Sequence, residues 1–500
     1  MLLFFLFVGA KASAQFSNAV WCFGDSCGIN WSNISSPSIF TSSVVNKGGS
    51  VSILDTITGA LVYANSQAGQ TGPNVQVWNK YNTLLQNGTG LEGEAWYHEL
   101  QLLPFPNNDS LLMLFGCGVA NIGPYGLYYS VINYKANNDS GVVVQKNIML
   151  NTMPAVDALA AVKHGNGRDW WIVFQHWDPI NLTPNNDFYI YLLSPLGVTG
   201  PFIQSIGSTH ITGGACLNFS ASGDRFVICN WGQLLELYEF DRCTGVILST
   251  TPVEQESLSP SDGLFYLSCD FSKDGSKLYV SCYQFLSTGN SKLYQYDLTA
   301  PSILNSRTIL YQFDPDTVQP GNIKRAKDDK IYLTSRYMGP GSFNIKYPDS
   351  LYNIYNNNLS VINQPDSLGA ACDFQPFSFN LGVGRTYYGL PNNADFELGP
   401  LVGSPCDTIT AIKEIANEPV FFQAWFKNDW STLFVNAKQI KGNNALVRIF
   451  DSTGRLIKEQ KGQVYSGYFA ADVVLENLAR GVYLVQLVTE KEKLSTKFIY

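Results

Sequence analysis

Residues 217–229, Leu-Asn-Phe-Ser-Ala-Ser-Gly-Asp-Arg-Phe-Val-Ile-Cys, decide the fold. An apolar stretch enters Ser-Gly-Asp and a second apolar stretch leaves it, the signature of two antiparallel strands joined by a tight turn. The pattern recurs along the chain. Its turns centre on Gly59 (52–65, SILDTITGALVYAN), Asp109 (102–115, LLPFPNNDSLLMLF), Gly167 (160–174, AAVKHGNGRDWWIVF), Gly223, Gly275 (269–281, CDFSKDGSKLYVS), Asp329 (325–335, RAKDDKIYLTS) and Gly384 (379–390, FNLGVGRTYYGL). Their separations of 50, 58, 56, 52, 54 and 55 residues are regular. They lie slightly above the period of four-stranded propeller blades.

A short aromatic segment ending in Asn or Asp follows most of these turns in constant phase, as in VQVWNKYN, YYSVINY, FYIYLL, LYEFD, LYQYD and LYNIYNN. The two signals together predict an all-β protein: a seven-bladed β-propeller followed by a small C-terminal β-sandwich. Residues Ala19–Trp31 precede the first turn and supply a strand that closes the ring, because an open ring exposes unpaired strand edges. Two stacked β-sandwiches are the alternative, and they predict no sustained period.

Composition agrees with many short strands and tight turns: 13% aromatic residues, 43 Gly, 23 Pro and only 14% charged residues. The formal charge is −8, with 20 basic and 30 acidic residues before Cys406. An acidic body lacks the clustered Lys and Arg that neutralise phosphates, so no nucleic-acid partner is expected. Residues 1–15 read as a signal peptide, with an apolar run over Leu2–Ala10 and a small-residue Ala12-Ser13-Ala14 cleavage pattern, although the usual basic start is missing. That run is too short to span a bilayer, and no transmembrane segment is expected elsewhere.

Ten cysteines in an exported chain point to disulfides. Cys216 and Cys229 are symmetric about the Ser222-Gly223 turn and should face each other across a hairpin, within bridging distance. Cys22 and Cys27 have the same symmetry about Gly24-Asp25, so both pairs are expected to be bridged. Cys269 and Cys282 are offset by two positions about their turn, which suits a bridge less. There is no C-x-x-C pair, and His98-Glu99 is followed by Leu102 where a zinc-protease motif needs His. Neither metal nor cofactor is therefore expected, and no residue is assigned a catalytic role. No G-x-S-x-G elbow, phosphate-cradling loop or sialidase-type turn occurs.

Trp96, His98, His176, Trp177, Asp178, Trp231, Arg336 and Tyr337 lie 7–13 residues from their turns. At about 3.3 Å per strand residue, that spacing brings them to the blade ends opposite the turns, around one mouth of the ring. Aromatic rings with a few polar groups suit stacking on a sugar or gripping a peptide. Against this stands the ordinary use of tryptophan as a wedge between sheets.

The stretches WCFGDSCGINWS, VWNKYNTLLQNGTGLEG, GLYYSVINY, AAVKHGNGRDWWIVF, FSKDGSKLYV and YGLPN, in this order from Trp21 to Asn392, resemble secreted proteins of gliding-type Gram-negative bacteria whose bodies carry WD-like propeller repeats. From about Phe421 the chain changes character. LVRIFDSTGRLIKEQ (446–460) and DVVLENLARGVYLVQLVTEKEKLSTKFIY (472–500) resemble the type A sorting domain of type IX secretion, although its usual Pro-Asn-Pro opening is absent from STLFVNA (431–437).

These resemblances imply a body over 16–392, a linker over 393–419 where processing could occur, and a sorting domain over 420–500. They imply recognition by the type IX translocon and passage through the periplasm to the outer-membrane surface or the medium. The expected function is binding or adhesion toward a glycan or protein ligand; the alternative is a hydrolase or lyase acting on an extracellular polysaccharide.

Overall fold

The computed structural model describes residues 15–67, 74–93, 98–118, 125–257, 263–284, 290–314, 317–337, 351–407, 420–427, 431–465, 467–476 and 478–500. The expected signal peptide falls almost wholly outside them. The chain is nearly all β, as expected. Among the described residues the body contains six four-stranded sheets and one three-stranded sheet, all antiparallel between neighbours.

Sheet 1 is the three-stranded one, with strands Val20–Phe23, Asp25–Asn30 and Ser38–Val45. Sheet 2 joins Ser50–Asp55, Leu61–Ser66 and Val75–Asn79 to the short strand Phe16–Ser17. Sheets 3 to 7 each use four consecutive strands, beginning at Leu100–Pro104, Ala160–Lys163, Ala215–Phe219, Leu264–Phe271 and Val318–Arg325. Each of these first strands packs beside the next around an axis, the arrangement of a β-propeller.

Six of the seven expected turns join the long hairpin of a sheet. Gly59, Gly167, Gly223, Gly275 and Asp329 adopt φ between 63° and 73°, and Asn107 takes φ 60° in the hairpin that contains Asp109. A tight hairpin needs a left-handed residue at such positions, which Gly, Asn and Asp tolerate best. Gly384 is the exception. No hairpin forms there; Arg385 instead pairs with Asp25 by backbone hydrogen bonds of 2.8 and 3.1 Å. The N-terminal segment therefore contributes a whole sheet rather than one closing strand. The LYNIYNN segment also falls outside a strand, and the third strand of sheet 7 is Asn358–Ile362.

Ring closure has a dry part and a charged part. Trp21 and Trp31 of sheet 1 pack on Tyr332 of sheet 7 at ring separations of 6.0 and 4.8 Å, and Trp31 stacks on Phe379 at 5.7 Å. Beside them Arg385 Nε donates to Asp25 Oδ2 at 2.6 Å, with the side chains only 3% and 8% exposed.

From Arg385 the chain runs along the axis as a strap. Tyr388 N–H donates to Lys47 O, and Tyr388 O accepts from Asn322 N–H. The Asn392 side-chain amide donates to Leu100 O at 3.0 Å and Leu159 O at 2.7 Å. Asn393 Oδ1 accepts from Ser52 N–H, and Phe396 is buried against Trp170. The strap leaves at the turn face, where Gly399 O accepts from Arg242 Nη2 at 2.7 Å and a Cys243–Cys406 disulfide pins it to sheet 5. Residues 393–407, expected to be linker, thus belong to the body.

Residues 420–500 form a separate sandwich. A three-stranded sheet (Phe421–Lys427, Thr432–Lys438, Tyr468–Val474) faces a four-stranded one (Leu456–Gln463, Asn444–Phe450, Val482–Thr489, Lys493–Ile499) around its own core of Val435, Val447, Phe469 and Leu487. Lys146 of sheet 3 reaches Asp472 at 3.1 Å, and Gln145 Nε2 donates to Ala437 O at 2.8 Å.

Replacing Arg385 with Met removes the guanidinium paired with the buried Asp25 carboxylate and should cost about 3–5 kcal/mol, measured by thermal or denaturant unfolding of the body. The Cys243–Cys406 bridge closes a separation of 163 residues. Cys243→Ser or Cys406→Ser should lower stability by about 2–5 kcal/mol, with equal losses in the two single variants and in the double variant.

Candidate functional site

The structure scatters the residues expected at one mouth. Trp177, Trp231 and Arg336 lie at the sheet ends opposite the turns, as the spacing requires, and there their rings and charge are used for packing. The Trp177 indole donates to Ile211 O at 2.8 Å, and its ring covers Gly213 so closely that a Cβ there would lie 2.7 Å from it. Trp231 covers Gly214 in the same way and meets Tyr283 edge-on at 6.3 Å. Glu256 fixes the intervening backbone by accepting from Ile211 N–H at 2.8 Å and Thr212 N–H at 3.0 Å.

The Arg336 guanidinium lies 4.6 Å over the ring of Tyr387 and donates to the Tyr388 hydroxyl at 2.7 Å, holding the start of the strap. Tyr337 stacks on Tyr355 at 6.0 Å. Asp178 Oδ1 caps a turn by accepting from Asn181 and Ile180 N–H groups. Those hydrogen bonds, that from Asn181 foremost, hold its carboxyl down at about 2. His176 meets Tyr189 edge-on at 6.1 Å. Trp96 lies outside the described residues.

His98 is not at a mouth at all. It is 1% exposed, with its ring between sheets 5 and 7. Asn322 Nδ2 of sheet 7 donates to its Nε2 at 2.9 Å, and its Nδ1 lies 3.5 Å from Cys216 Sγ of sheet 5.

The cysteine expectations divide. Cys216 and Cys229 are direct cross-strand partners, as the symmetry of the hairpin predicts, yet both are thiols in the structure. Cys22 and Cys27 are not partners: Cys22 lies opposite Gly28, and Cys27 opposite Phe23. A one-residue offset sends the two side chains to opposite faces of the sheet. Cys22 enters the core with Val44 and Tyr63, while Cys27 enters the core with Trp21 and donates its thiol to Arg385 O at 3.1 Å.

At the turn face a cavity of about 420 Å³ opens beside the outgoing strap. Four cations (Lys273, Lys324, Arg325, Lys327) and four acids (Asp270, Asp329, Asp395, Glu397) line it, together with the amides of Gln101, Asn218, Asn392 and Asn393. Sheets 6 and 7 supply Asp270 and Lys324 from their first strands, where the side chains point inward. Burial pushes the Asp270 carboxyl up, opposed by Lys324 and Arg325, and pushes the Lys324 ammonium down, opposed by Asp270.

All four acids are already engaged, Asp395 by accepting from Glu397 N–H at 2.9 Å. Asp270 accepts from Arg325 N–H at 2.7 Å, Asp329 pairs with Lys273 and with Arg325, and Glu397 pairs with Lys327. Sequence reasoning missed this cavity. The signal was present, since Asp270 and Lys324 are charged residues inside strands that otherwise face a core, a placement that burial permits only with partners.

Among curated proteins none is significantly similar to the chain. Solved structures that align with it include a protein from Lactobacillus plantarum (12% identity, 83% of this chain and 99% of that one, TM-score 0.36). Others are the periplasmic gluconolactonase of Pseudomonas aeruginosa (12%, 83% and 99%, 0.34) and the β-propeller domain of Cps50 (Swd1) from Myceliophteria thermophila (10%, 66% and 94%, 0.34). Residues 431–500 match the secretion system C-terminal sorting domain. The chain is therefore an exported protein that carries a β-propeller body to the cell surface or extracellular space on a type IX sorting domain.

Proposed function

We propose that the propeller body is a binding module whose turn-face cavity takes a small polyhydroxylated ligand, such as the terminal sugars of a glycan. The cavity carries this reading. Its volume of about 420 Å³ falls within the range of small-molecule sites. Equal numbers of cations and acids leave its walls without a dominant sign, and a neutral ligand rich in hydroxyls can use donors and acceptors of both kinds. A hydrolase would need two carboxyl groups free to act as acid and base or nucleophile, whereas all four acids here hold the cavity's own cations or backbone.

Delivery to the surface supports the same reading, because a surface-displayed cavity meets ligands outside the cell. The test is a glycan array probed with the purified mature chain, followed by titration of the best ligand. Lys324→Met and the cavity-blocking Ala221→Trp should each weaken binding at least about tenfold, the loss of a good charged hydrogen bond or of access. Trp177→Ala and Arg336→Ala should lower the melting temperature and leave affinity within error. Tight binding in Ala221→Trp, or its loss only in the Trp177 variant, would move the site to the other face.

Deleting 420–500 should leave the body folded and hold it in the periplasm, as read by fractionation and by an unchanged melting transition of the body. Normal delivery of the truncated chain would contradict the export role assigned to the sandwich.

A further inference from the structure

Behind the cavity, three cysteines from two sheets bring their sulfurs together. Cys216 and Cys229 are opposed on neighbouring strands of sheet 5, and Cys269 comes from the first strand of sheet 6. Their Sγ atoms all lie within 4.8 Å of one another, and none of the three residues is more than 1% exposed. We propose that these three thiols form a binding site for one soft d10 cation, cuprous copper or zinc, which ties sheet 5 to sheet 6.

Sulfur spacing is the first argument. Metal–sulfur bonds of about 2.3 Å place the sulfurs of a thiolate site about 3.8–4.0 Å apart. Small side-chain rotations bring a cluster bounded by 4.8 Å to that size. A disulfide would consume two of the sulfurs and strand the third, while an ion uses all of them.

Second is what surrounds Cys216. Asn218 Nδ2 donates to its sulfur at 3.4 Å, His98 Nδ1 lies at 3.5 Å and Ser268 Oγ at 3.6 Å. Three polar groups directed at one sulfur suit a thiolate, charged or metal-bound, and such outer partners orient the ligands of metal centres. A disulfide sulfur has no charge for them to stabilise. Lys324 Nζ, 3.3 Å from Asn218 Oδ1, places a cation one step further out, on the side that offsets the excess negative charge of a tris-thiolate.

Third, softness selects the ion, because thiolates without carboxylates favour copper(I) and zinc over harder cations. Three sulfurs alone complete a trigonal copper(I) site. Zinc would recruit a fourth ligand, and His98 is placed for it. Its proton would then sit on Nε2, and a flip of the Asn322 side-chain amide, whose Nδ2 faces the ring here, would turn the otherwise unsatisfied Oδ1 to accept from it. On binding, the thiols release their protons to solvent and no electron is transferred. Since the cluster is closed to water, the ion enters as the chain folds. The absence of a C-x-x-C pair hid the site from the sequence, because two of its ligands are 13 residues apart on one hairpin and the third lies 40 residues further on, on the next sheet.

The test begins with the wild-type mature chain, folded in the presence of zinc, of copper(I) held by a competing chelator, or of cadmium as an optical probe. Metal analysis should give one ion per chain, and cadmium should give the ultraviolet charge-transfer band of thiolate ligation. Copper retained in His98→Ala identifies the trigonal site, and zinc lost in that variant identifies the four-ligand one. Cys229→Ser should lose the ion, whereas Cys282→Ser, buried in the same core but outside the cluster, should keep it. A folded wild-type chain that takes up none of the three metals overturns the proposal. So does a Cys216–Cys229 disulfide in non-reduced peptide maps of protein from the periplasm.

Discussion

A propeller is stable only when its first and last sheets meet, and here that meeting rests on Asp25 and Arg385. Sheet 1 is built from the N-terminus and sheet 7 from residues 318–380, so the joint must be made by residues far apart in the chain. Tryptophan packing supplies apolar burial, while the ion pair supplies register. Removing two charges from water offsets much of their attraction, so the gain lies in where the strands are held. The Cys27 thiol on Arg385 O and the paired backbone of Asp25 and Arg385 act on the same few atoms.

The strap begins at that joint, and its course explains why the ring is not a pore. The first strand of each sheet has no strand neighbour on the axial side, which leaves carbonyl groups that need donors where water is excluded. Asn392 meets this demand with one side-chain amide directed at carbonyls of sheets 3 and 4, and Asn322 and Thr334 close around Tyr388 O. A polar residue is thus buried at low cost because its partners are backbone groups that would otherwise be unsatisfied. Where the strap turns outward, it stops filling the axis, and the charged cavity opens at that point.

Cysteine usage follows the same geometry. Of ten cysteines, only Cys243 and Cys406 are bridged in the structure, and the other eight are buried thiols. The bridge lies at the turn face, at the end of the strap, where one covalent tie fixes both the strap and the outer turn of sheet 5. Buried thiols behave as small apolar side chains, which accounts for Cys22 and Cys117. It accounts less well for Cys216, whose sulfur is met by three polar groups.

By itself the sequence determined the local elements, because each depends on a few adjacent residues. Gly59, Gly167, Gly223, Gly275 and Asp329 are where a hairpin needs positive φ, and the facing of Cys216 and Cys229 follows from counting out from one such turn. The sorting module was legible for the same reason, as an ordered run of strands and turns within 420–500. Tertiary structure decided what depends on pairing between distant segments. The Gly384 stretch has the local pattern of a hairpin, but Asp25, which captures Arg385, is 360 residues away and invisible to any window. Cys22 and Cys27 do not face each other because three residues, Gly24, Asp25 and Ser26, separate the paired Phe23 and Cys27, and a shift of one residue reverses a side chain. The cavity of Asp270, Lys324 and Asp395 and the meeting of Cys269 with Cys216 exist only because closure and the strap bring sheets 5, 6 and 7 onto one axis.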